Sequence, residues 1–146
     1  MSEGRGRGLQ FVDTNILVYA HDASAGAKRQ VAARLLENLW NSRRGCVSIQ
    51  VLQEFFVVVT SRTHPPLPRP RAREIVAAYH AWFVHSPTVA DVERAIDIHE
   101  RHGISFWDAM IVASASRLDC ETLWSEDLGH GQAYEGVIVK SPFAGI

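Results

Sequence analysis

Three aspartates stand where a parallel α/β fold would bring them to one edge of its sheet. Asp13 directly follows a strand-like run at residues 9–12, and Asp127 follows another at residues 122–125. Asp108 falls in the first turn of a predicted helix, and the helices of a doubly wound fold begin at the edge where the strands end. Because such sheets bind their ligands at that edge, the spacing predicts a shared acidic pocket.

Glu54 lies within the most apolar stretch of the chain, residues 49–60, and is expected to be buried there. An unpaired buried carboxylate is energetically costly. Either a core arginine neutralises Glu54, or Glu54 joins the aspartates in the pocket.

Each aspartate also has a purely structural interpretation. Asp13 could cap the helix that follows it. Asp108 completes a capping box with Ser105, and Asp127 could be a solvated turn residue beside Glu126. These interpretations do not explain why strand-end and helix-start acids should share one edge of the sheet, so we favour a common site.

Several carboxylates in one pocket require protons or cations, because two of them ~5 Å apart repel by roughly 3 kcal/mol at an effective dielectric of about 20. A site of carboxylate oxygens without histidine or thiolate favours Mg²⁺ or Mn²⁺ over zinc. Carboxylate-held Mg²⁺ can activate a water and stabilise the charge that develops on a phosphorane. The residue types therefore favour phosphodiester hydrolysis.

The sequence predicts both strands and helices. Strands are predicted at residues 9–12, 46–48, 122–125 and 137–140, and helices at 16–20, 27–40, 49–60, 73–83, 90–102 and 105–118. Short apolar strands separated by helices predict a layered α/β fold with a mainly parallel sheet. The proline-rich segment 64–71 is expected to be an extended surface connection. We expect a flexible tail at residues 1–8 and one domain at 9–143.

Composition narrows the function classes. The 146 residues carry 15 Lys+Arg, 16 Asp+Glu and a formal net charge of −1, so RNA would have to be held by a local basic patch. Arginines at 43–44 and 62–73 are candidates for that patch. The two cysteines, Cys46 and Cys120, argue against a disulfide scaffold and suit a reducing compartment. Without a membrane-spanning run or a signal sequence, the chain is expected to be cytoplasmic.

Trp107, which adjoins Asp108, is the one tryptophan that could stack on a nucleic-acid base. The simpler interpretation of all the tryptophans is core or interface packing. We keep both readings of Trp107 open.

Four sequence blocks, taken together, resemble the acidic motifs of PIN-domain ribonucleases. The blocks are Phe11-Val12-Asp13-Thr14-Asn15, Ser48-x-x-x-Leu52-Gln53-Glu54, Phe106-Trp107-Asp108-Ala109 and Ser125-Glu126-Asp127-Leu128. The tail, with Gly129-His130-Gly131-Gln132, Gly136 and Ser141-Pro142-Phe143, more narrowly resembles the VapC-type toxins of bacterial toxin–antitoxin pairs. The Asp-Thr-Asn opening alone is weak evidence for the resemblance, but the occurrence of all the blocks in order over almost the whole chain is strong evidence.

The resemblance implies a three-layer α/β/α sandwich and a metal-dependent endoribonuclease. By this analogy Asp13, Asp108 and Asp127 would hold Mg²⁺ or Mn²⁺. Glu54 would orient or deprotonate the attacking water.

Further residues and partners follow from the same resemblance. Thr14, Asn15 and Ser125 would support the site through hydrogen bonds behind the metal ligands. The implied partners are an RNA substrate, a cognate antitoxin that occludes the pocket, and a second copy of the chain in a homodimer. No membrane partner is implied.

Other protein classes fit less well. A phosphorelay receiver also has an acid after its first strand, and Lys140 follows the last strand as a receiver lysine would, but receivers need paired acids where Asp13 stands alone. A haloacid-dehalogenase phosphatase needs a second acid two residues after Asp13, where Asn15 stands. A non-catalytic RNA-binding module would keep the arginines but has no need of Glu54.

Overall fold

A six-stranded sheet organises residues 8–146, the part of the chain that the computed structural model describes. The strands are β1 Gln10–Val12, β2 Gly45–Ser48, β3 Phe83–His85, β4 Thr122–Trp124, β5 Ala133–Tyr134 and β6 Val137–Lys140. Their order is β3-β2-β1-β4-β6-β5, and all pairings are parallel except that of β5 with β6. The mainly parallel sheet is confirmed. The predicted tail at 1–8 lies outside the described residues except for Gly8.

The described residues also form six α-helices. They are α1 Thr14–Ala20, α2 Ala27–Ser42, α3 Ile49–Val59, α4 Arg69–Ala78, α5 Val89–His102 and α6 Phe106–Arg117, with short 3₁₀ turns at Ala23–Ala25 and Tyr79–Ala81. Helical crossovers between parallel strands place helices on both faces of the sheet, which makes the three-layer α/β/α sandwich. The strand order differs from the 2-1-3-4-5 order of receivers, so the receiver alternative is wrong.

Polar caps set where the site-bearing helices begin. The Asp13 carboxylate accepts the Thr14 amide N–H at 2.7 Å as β1 passes into α1. The Ser48 hydroxyl accepts an amide N–H from the first turn of α3 as β2 ends. At the start of α6, the Ser105 hydroxyl accepts the Asp108 amide N–H at 3.1 Å. Each cap accepts a hydrogen bond from an amide that has no partner within the helix, and thereby fixes the residue at which the helix begins.

The segment after the prolines differs from its prediction. A helix was expected at 73–83, but α4 runs over Arg69–Ala78, because Pro70 is tolerated in a first turn where its missing N–H has no helical partner. The chain then makes the 3₁₀ turn Tyr79–Ala81 and enters β3 at Phe83–His85. That strand is too short to show alternation, and its parallel register beside β2 defines it instead.

The hairpin of β5 and β6 was also missed. Its two-residue turn consists of Glu135 and Gly136, with φ of 50° and 84°. Two positive φ angles in succession match the tight turn that joins twisted antiparallel strands. Only Ala133 and Tyr134 precede this turn in β5, too few residues to carry a pattern.

The two cysteines are buried and free. The neighbouring Cys46 thiol and burial together raise the pKa of Cys120. Within residues 8–146, no helix combines the length and apolar character that crossing a membrane requires.

Candidate metal centre

Asp13, Asp108 and Asp127 converge at the carboxyl edge of the sheet. One carboxylate oxygen from each lies within 4.8 Å of the others. Asp13 follows β1 and Asp127 follows β4, which pairs directly with β1, while Asp108 enters from the first turn of α6. The structure therefore brings together three side chains that lie far apart in sequence, and we call them the acidic cluster.

Ser125 connects two members of the acidic cluster. Its hydroxyl donates to Asp13 Oδ2 at 2.8 Å and accepts the Asp127 amide N–H at 3.1 Å. Asp13 Oδ1 meanwhile accepts the Thr14 amide. With Asp13 only 4 % exposed, these bonds fix its carboxylate, yet each oxygen keeps a lone pair for another partner.

The acidic cluster is electrostatically strained near neutral pH. Burial raises the pKa of Asp13 to about 7. The hydrogen bonds from Ser125 and Thr14 oppose this rise, and the negative charges of Asp127 and Asp108 add to it. Burial and then the Asp108 charge also raise the pKa of Asp127. Both shifts mean that the protein by itself stabilises the ionised cluster poorly, as expected for a site completed by a cation.

The expectation that Glu54 is buried is wrong. Glu54 is exposed, since α3 packs against the core through Val51 and Phe55 and turns its other face to solvent. Val57 on that outer face is 56 % exposed. The run of apolar residues predicted a helix buried on all sides, but Gln53, Glu54 and Val57 of α3 are exposed.

Glu54 nevertheless lies at the rim of the acidic cluster. Its Oε1 accepts the Thr14 hydroxyl at 3.3 Å, and Thr14 is the residue after Asp13. Glu54 does not belong to the group of oxygens within 4.8 Å that the described residues form. It is therefore placed to act beside the cluster rather than within it.

The Asn15 side chain supplies an unsatisfied polar group at the same place. Its amide lies near enough to Asp127 to hold down the rise in that carboxyl pKa. Neither amide atom makes a hydrogen bond of ordinary geometry to any described residue, although both are buried. Buried polar atoms without a protein partner mark a position for water or a ligand.

The donor set fits a hard divalent cation. The acidic cluster offers carboxylate oxygens alone, which favour Mg²⁺ or Mn²⁺ over zinc. Mg²⁺ keeps several of its waters in proteins, and Asn15 offers such waters an unpaired amide. Asp13, Asp108 and Asp127 are accordingly the residues that would hold the ion.

Glu126 anchors the turn that carries Asp127, a role that the sequence reasoning missed. Tyr19 donates its hydroxyl to Glu126 Oε1 at 2.5 Å, and the Lys28 ammonium pairs with Oε2. That ammonium also lies 5.0 Å from the Tyr19 ring centroid and 5.1 Å from that of Phe143. The only sequence signal was the rarity of lysine, since Lys28 is one of two in the chain.

A separate groove runs between α3 and α4. Its volume is about 830 Å³, and Arg69 and Arg73 contribute to its otherwise mostly apolar lining. The remaining lining residues are Ile49, Leu52, Gln53, Phe56, Val57, Pro70 and Val76. The acidic cluster is not part of this groove.

The family model of the PIN domain matches residues 11–135. The chain belongs to the PIN domain family, and the fold resemblance noted from the sequence is confirmed. No curated protein matches the full sequence significantly.

Solved structures share the fold. VapC20 of Mycobacterium tuberculosis, described as a sarcin-ricin loop cleaving toxin, is 25% identical with a TM-score of 0.62, over 81% of this chain and 89% of that chain. A toxin–antitoxin complex from Klebsiella pneumoniae gives 21% identity and a TM-score of 0.68, and the match covers 92% of this chain and 98% of that chain. DNA-bound VapBC from Salmonella typhimurium is 16% identical with a TM-score of 0.64, and the match covers 92% of this chain and 98% of that chain.

Proposed function

We propose that this protein is a Mg²⁺- or Mn²⁺-dependent endoribonuclease and the toxin of a VapBC-like toxin–antitoxin pair. The observation that carries the proposal is the convergence of Asp13, Asp108 and Asp127 within 4.8 Å in a chain of the PIN domain family. The likeness to VapC20, described as a sarcin-ricin loop cleaving toxin, supports RNA as the substrate. We place the protein in the cytoplasm, where such a substrate is found.

The acidic cluster would hold the ion through its carboxylate oxygens. When bound, the ion would supply the positive charge that lowers the pKa of a water and offsets the charge developing on the phosphate. Ser125 orients the Asp13 carboxylate by donating to Oδ2, and the Thr14 amide holds Oδ1. The protein thus fixes the Asp13 carboxylate before the ion arrives, which reduces the reorganisation that binding requires.

Glu54 would take the proton from the attacking water or orient that water. Its exposure keeps the carboxylate in contact with solvent, and the Thr14 hydroxyl holds it beside Asp13. The water oxygen forms the new bond to phosphorus, and the ester bond to one ribose oxygen breaks. That ribose oxygen leaves with a proton from solvent, so the products are an alcohol and a phosphate monoester.

Asp13→Asn and Asp108→Asn test the proposal. Each removes one anionic ligand, and we expect RNA cleavage in Mg²⁺ to fall by about two orders of magnitude or more. Cleavage of a structured cellular RNA by purified protein is the measurement, with EDTA as the metal-free reference.

Asp97→Asn is the matched control, because Asp97 is an exposed acid of α5 outside the acidic cluster. Circular dichroism checks that all three variants fold. Unchanged cleavage in Asp13→Asn or Asp108→Asn, or activity that persists in EDTA, would contradict the assigned roles.

We further propose that an acidic amphipathic segment of an antitoxin binds the groove between α3 and α4. The support is the apolar lining with Arg69 and Arg73 beside it, together with the toxin–antitoxin complexes among the similar structures. Val57→Asp should weaken capture of the product of the neighbouring reading frame, while the exposed Val89→Asp on α5 should not. Equal capture by both variants would place the antitoxin elsewhere.

A homodimer stays a prediction, to be tested by sedimentation.

A further inference from the structure

Trp107, which directly precedes Asp108 of the acidic cluster, presents its indole to solvent. It is 65 % exposed, whereas Trp82 is 8 % exposed and Trp40 and Trp124 are half-buried. Its ring contacts Phe106 edge to face, with centroids 5.1 Å apart and planes at 75°. Indole is among the largest apolar side chains, and leaving it in water forgoes the stabilisation that burial would give. The packing of the described residues therefore does not account for tryptophan at this position.

The backbone that carries the indole is held in place. Trp107 lies in the first turn of α6, where the Ser105 hydroxyl caps the helix through the Asp108 amide. From α3, the Gln50 side-chain amide donates to the Trp107 carbonyl at 3.4 Å. The next residue, Asp108, points one carboxylate oxygen into the acidic cluster. The backbone of Trp107 is thus fixed, and the residue that follows it belongs to the site where the proposed chemistry takes place.

Electrostatics gives RNA little help at this position. The chain has a formal net charge of −1, and the acidic cluster is itself negative. Arg69 and Arg73 lie at the separate groove between α3 and α4. From the acidic cluster an RNA segment gains only the attraction of a bound cation, and stacking on an aromatic ring adds an attraction that does not depend on charge.

We propose that Trp107 stacks on an unpaired base adjacent to the scissile phosphate and thereby selects single-stranded or loop RNA. The inference rests on the proposed ribonuclease function. Stacking is available to every base but requires that the base be out of a duplex. Trp107 is then a positioning residue that selects RNA shape rather than sequence.

Steady-state cleavage of a single-stranded RNA and of the same sequence in a duplex tests the proposal. Trp107→Ala should raise KM for the single strand by about 5- to 150-fold, which corresponds to the ~1–3 kcal/mol that base–aromatic stacking contributes. We expect a much smaller change in kcat. Trp107→Phe should recover most of the loss, and Val89→Ala, which trims another exposed apolar side chain, should leave KM unchanged.

Fluorescence gives an independent measurement. In the Asp13→Asn background with EDTA, so that the RNA stays intact, binding of the single strand should quench tryptophan emission. The additional change Trp107→Phe should remove that quenching although the RNA still binds. This comparison remains informative even if Trp107→Ala fails to fold.

The outcomes separate the two proposals. If the wild type cleaves RNA and Trp107→Ala keeps both its fold and its KM, stacking is wrong and the ribonuclease proposal stands. If Trp107 emission shifts to the blue with protein concentration and is insensitive to RNA, a second copy covers the indole and stacking is again wrong. If the wild type cleaves no RNA with Mg²⁺ or Mn²⁺, the proposed function itself fails.

Discussion

Two clusters of polar side chains lie near strand ends in the described part of this protein, and only one of them is neutralised by groups of the protein itself. At the end of β3, His85 Nδ1 lies 2.8 Å from the Ser114 hydroxyl and His85 Nε2 lies 3.2 Å from Asp91 Oδ2. All three residues are at most 9 % exposed. Every polar group of this histidine cluster has a partner inside the protein, which is the usual condition of buried polar groups.

The histidine cluster is structural in spite of its residue types. Serine, histidine and aspartate also make up hydrolase triads, but Ser114 is 1 % exposed and offers no access to a substrate. Asp91 accepts the Thr88 amide N–H at 2.8 Å and so closes the capping box of α5. The cluster thereby joins β3, α5 and α6.

The acidic cluster accepts hydrogen bonds from Ser125 and Thr14, but no positive group of the described residues offsets the charge of Asp13. Its carboxylates repel one another, and the pKa of Asp13 rises to about 7 because burial is not offset by a positive group. The comparison teaches that charge complementarity within a cluster marks a structural role. A cluster that remains uncompensated calls for a ligand from outside.

The pH dependence of stability should separate the two clusters most clearly. Asp13 has a pKa of about 7 in the folded protein against an ordinary value of 3.8, so between these values the folded state binds more protons than the unfolded state. Stability should therefore fall as pH rises through this window, by about 4 kcal/mol at most, and the cost is fully present above pH 7. Urea unfolding in EDTA at pH 4 and pH 8 measures most of it.

The matched variant for this prediction is Asp13→Asn, which cannot ionise. The stability of this variant should not show the part of the fall with pH that Asp13 causes. Subtracting the stability of the variant from that of the wild type at each pH removes the contribution of groups that titrate in both proteins. A difference between the two proteins that stays constant from pH 4 to pH 8 would contradict the strained state of Asp13.

Removing an acid from the histidine cluster should have the opposite effect on stability. Asp91→Ala deletes the α5 capping box and leaves His85 buried without its carboxylate, so we expect a loss of about 3 kcal/mol in the free energy of unfolding at pH 7. Asp97→Ala, an exposed acid of the same helix, serves as the reference. A loss for Asp91→Ala no larger than that of Asp97→Ala would show that the cluster is not structural.

Metal addition should act on one cluster only. At a Mg²⁺ concentration ~100 times the Kd, we expect stabilisation by about 2.7 kcal/mol in the wild type and none in Asp108→Asn. The stabilisation should grow between pH 6 and pH 8, because protons compete with the ion for Asp13. Thermal unfolding with and without Mg²⁺ is the measurement, and Asp91→Asn should still respond. Equal responses in wild type and Asp108→Asn would place the ion elsewhere.

Local chemistry made part of this protein predictable from its sequence. Asp13 and Ser105 were recognisable as caps because a cap satisfies an amide only a few residues away. The left-handed Gly103, at φ 67°, ends α5 where the sequence predicted the stop. The order of strands and helices and the edge at which the aspartates lie follow from such local signals and from the rules of parallel sheets.

The tertiary structure decided what depends on distant neighbours. It exposed Glu54 and left it at the rim of the acidic cluster, because only one side of α3 meets the core. It made a strand of Phe83–His85 through pairing with β2, and it joined Lys28 to Glu126. Burial, strand pairing and charge pairing are properties of surfaces that meet in space. The sequence therefore determined which groups are available, and packing determined which of them find partners and which are left to bind a ligand.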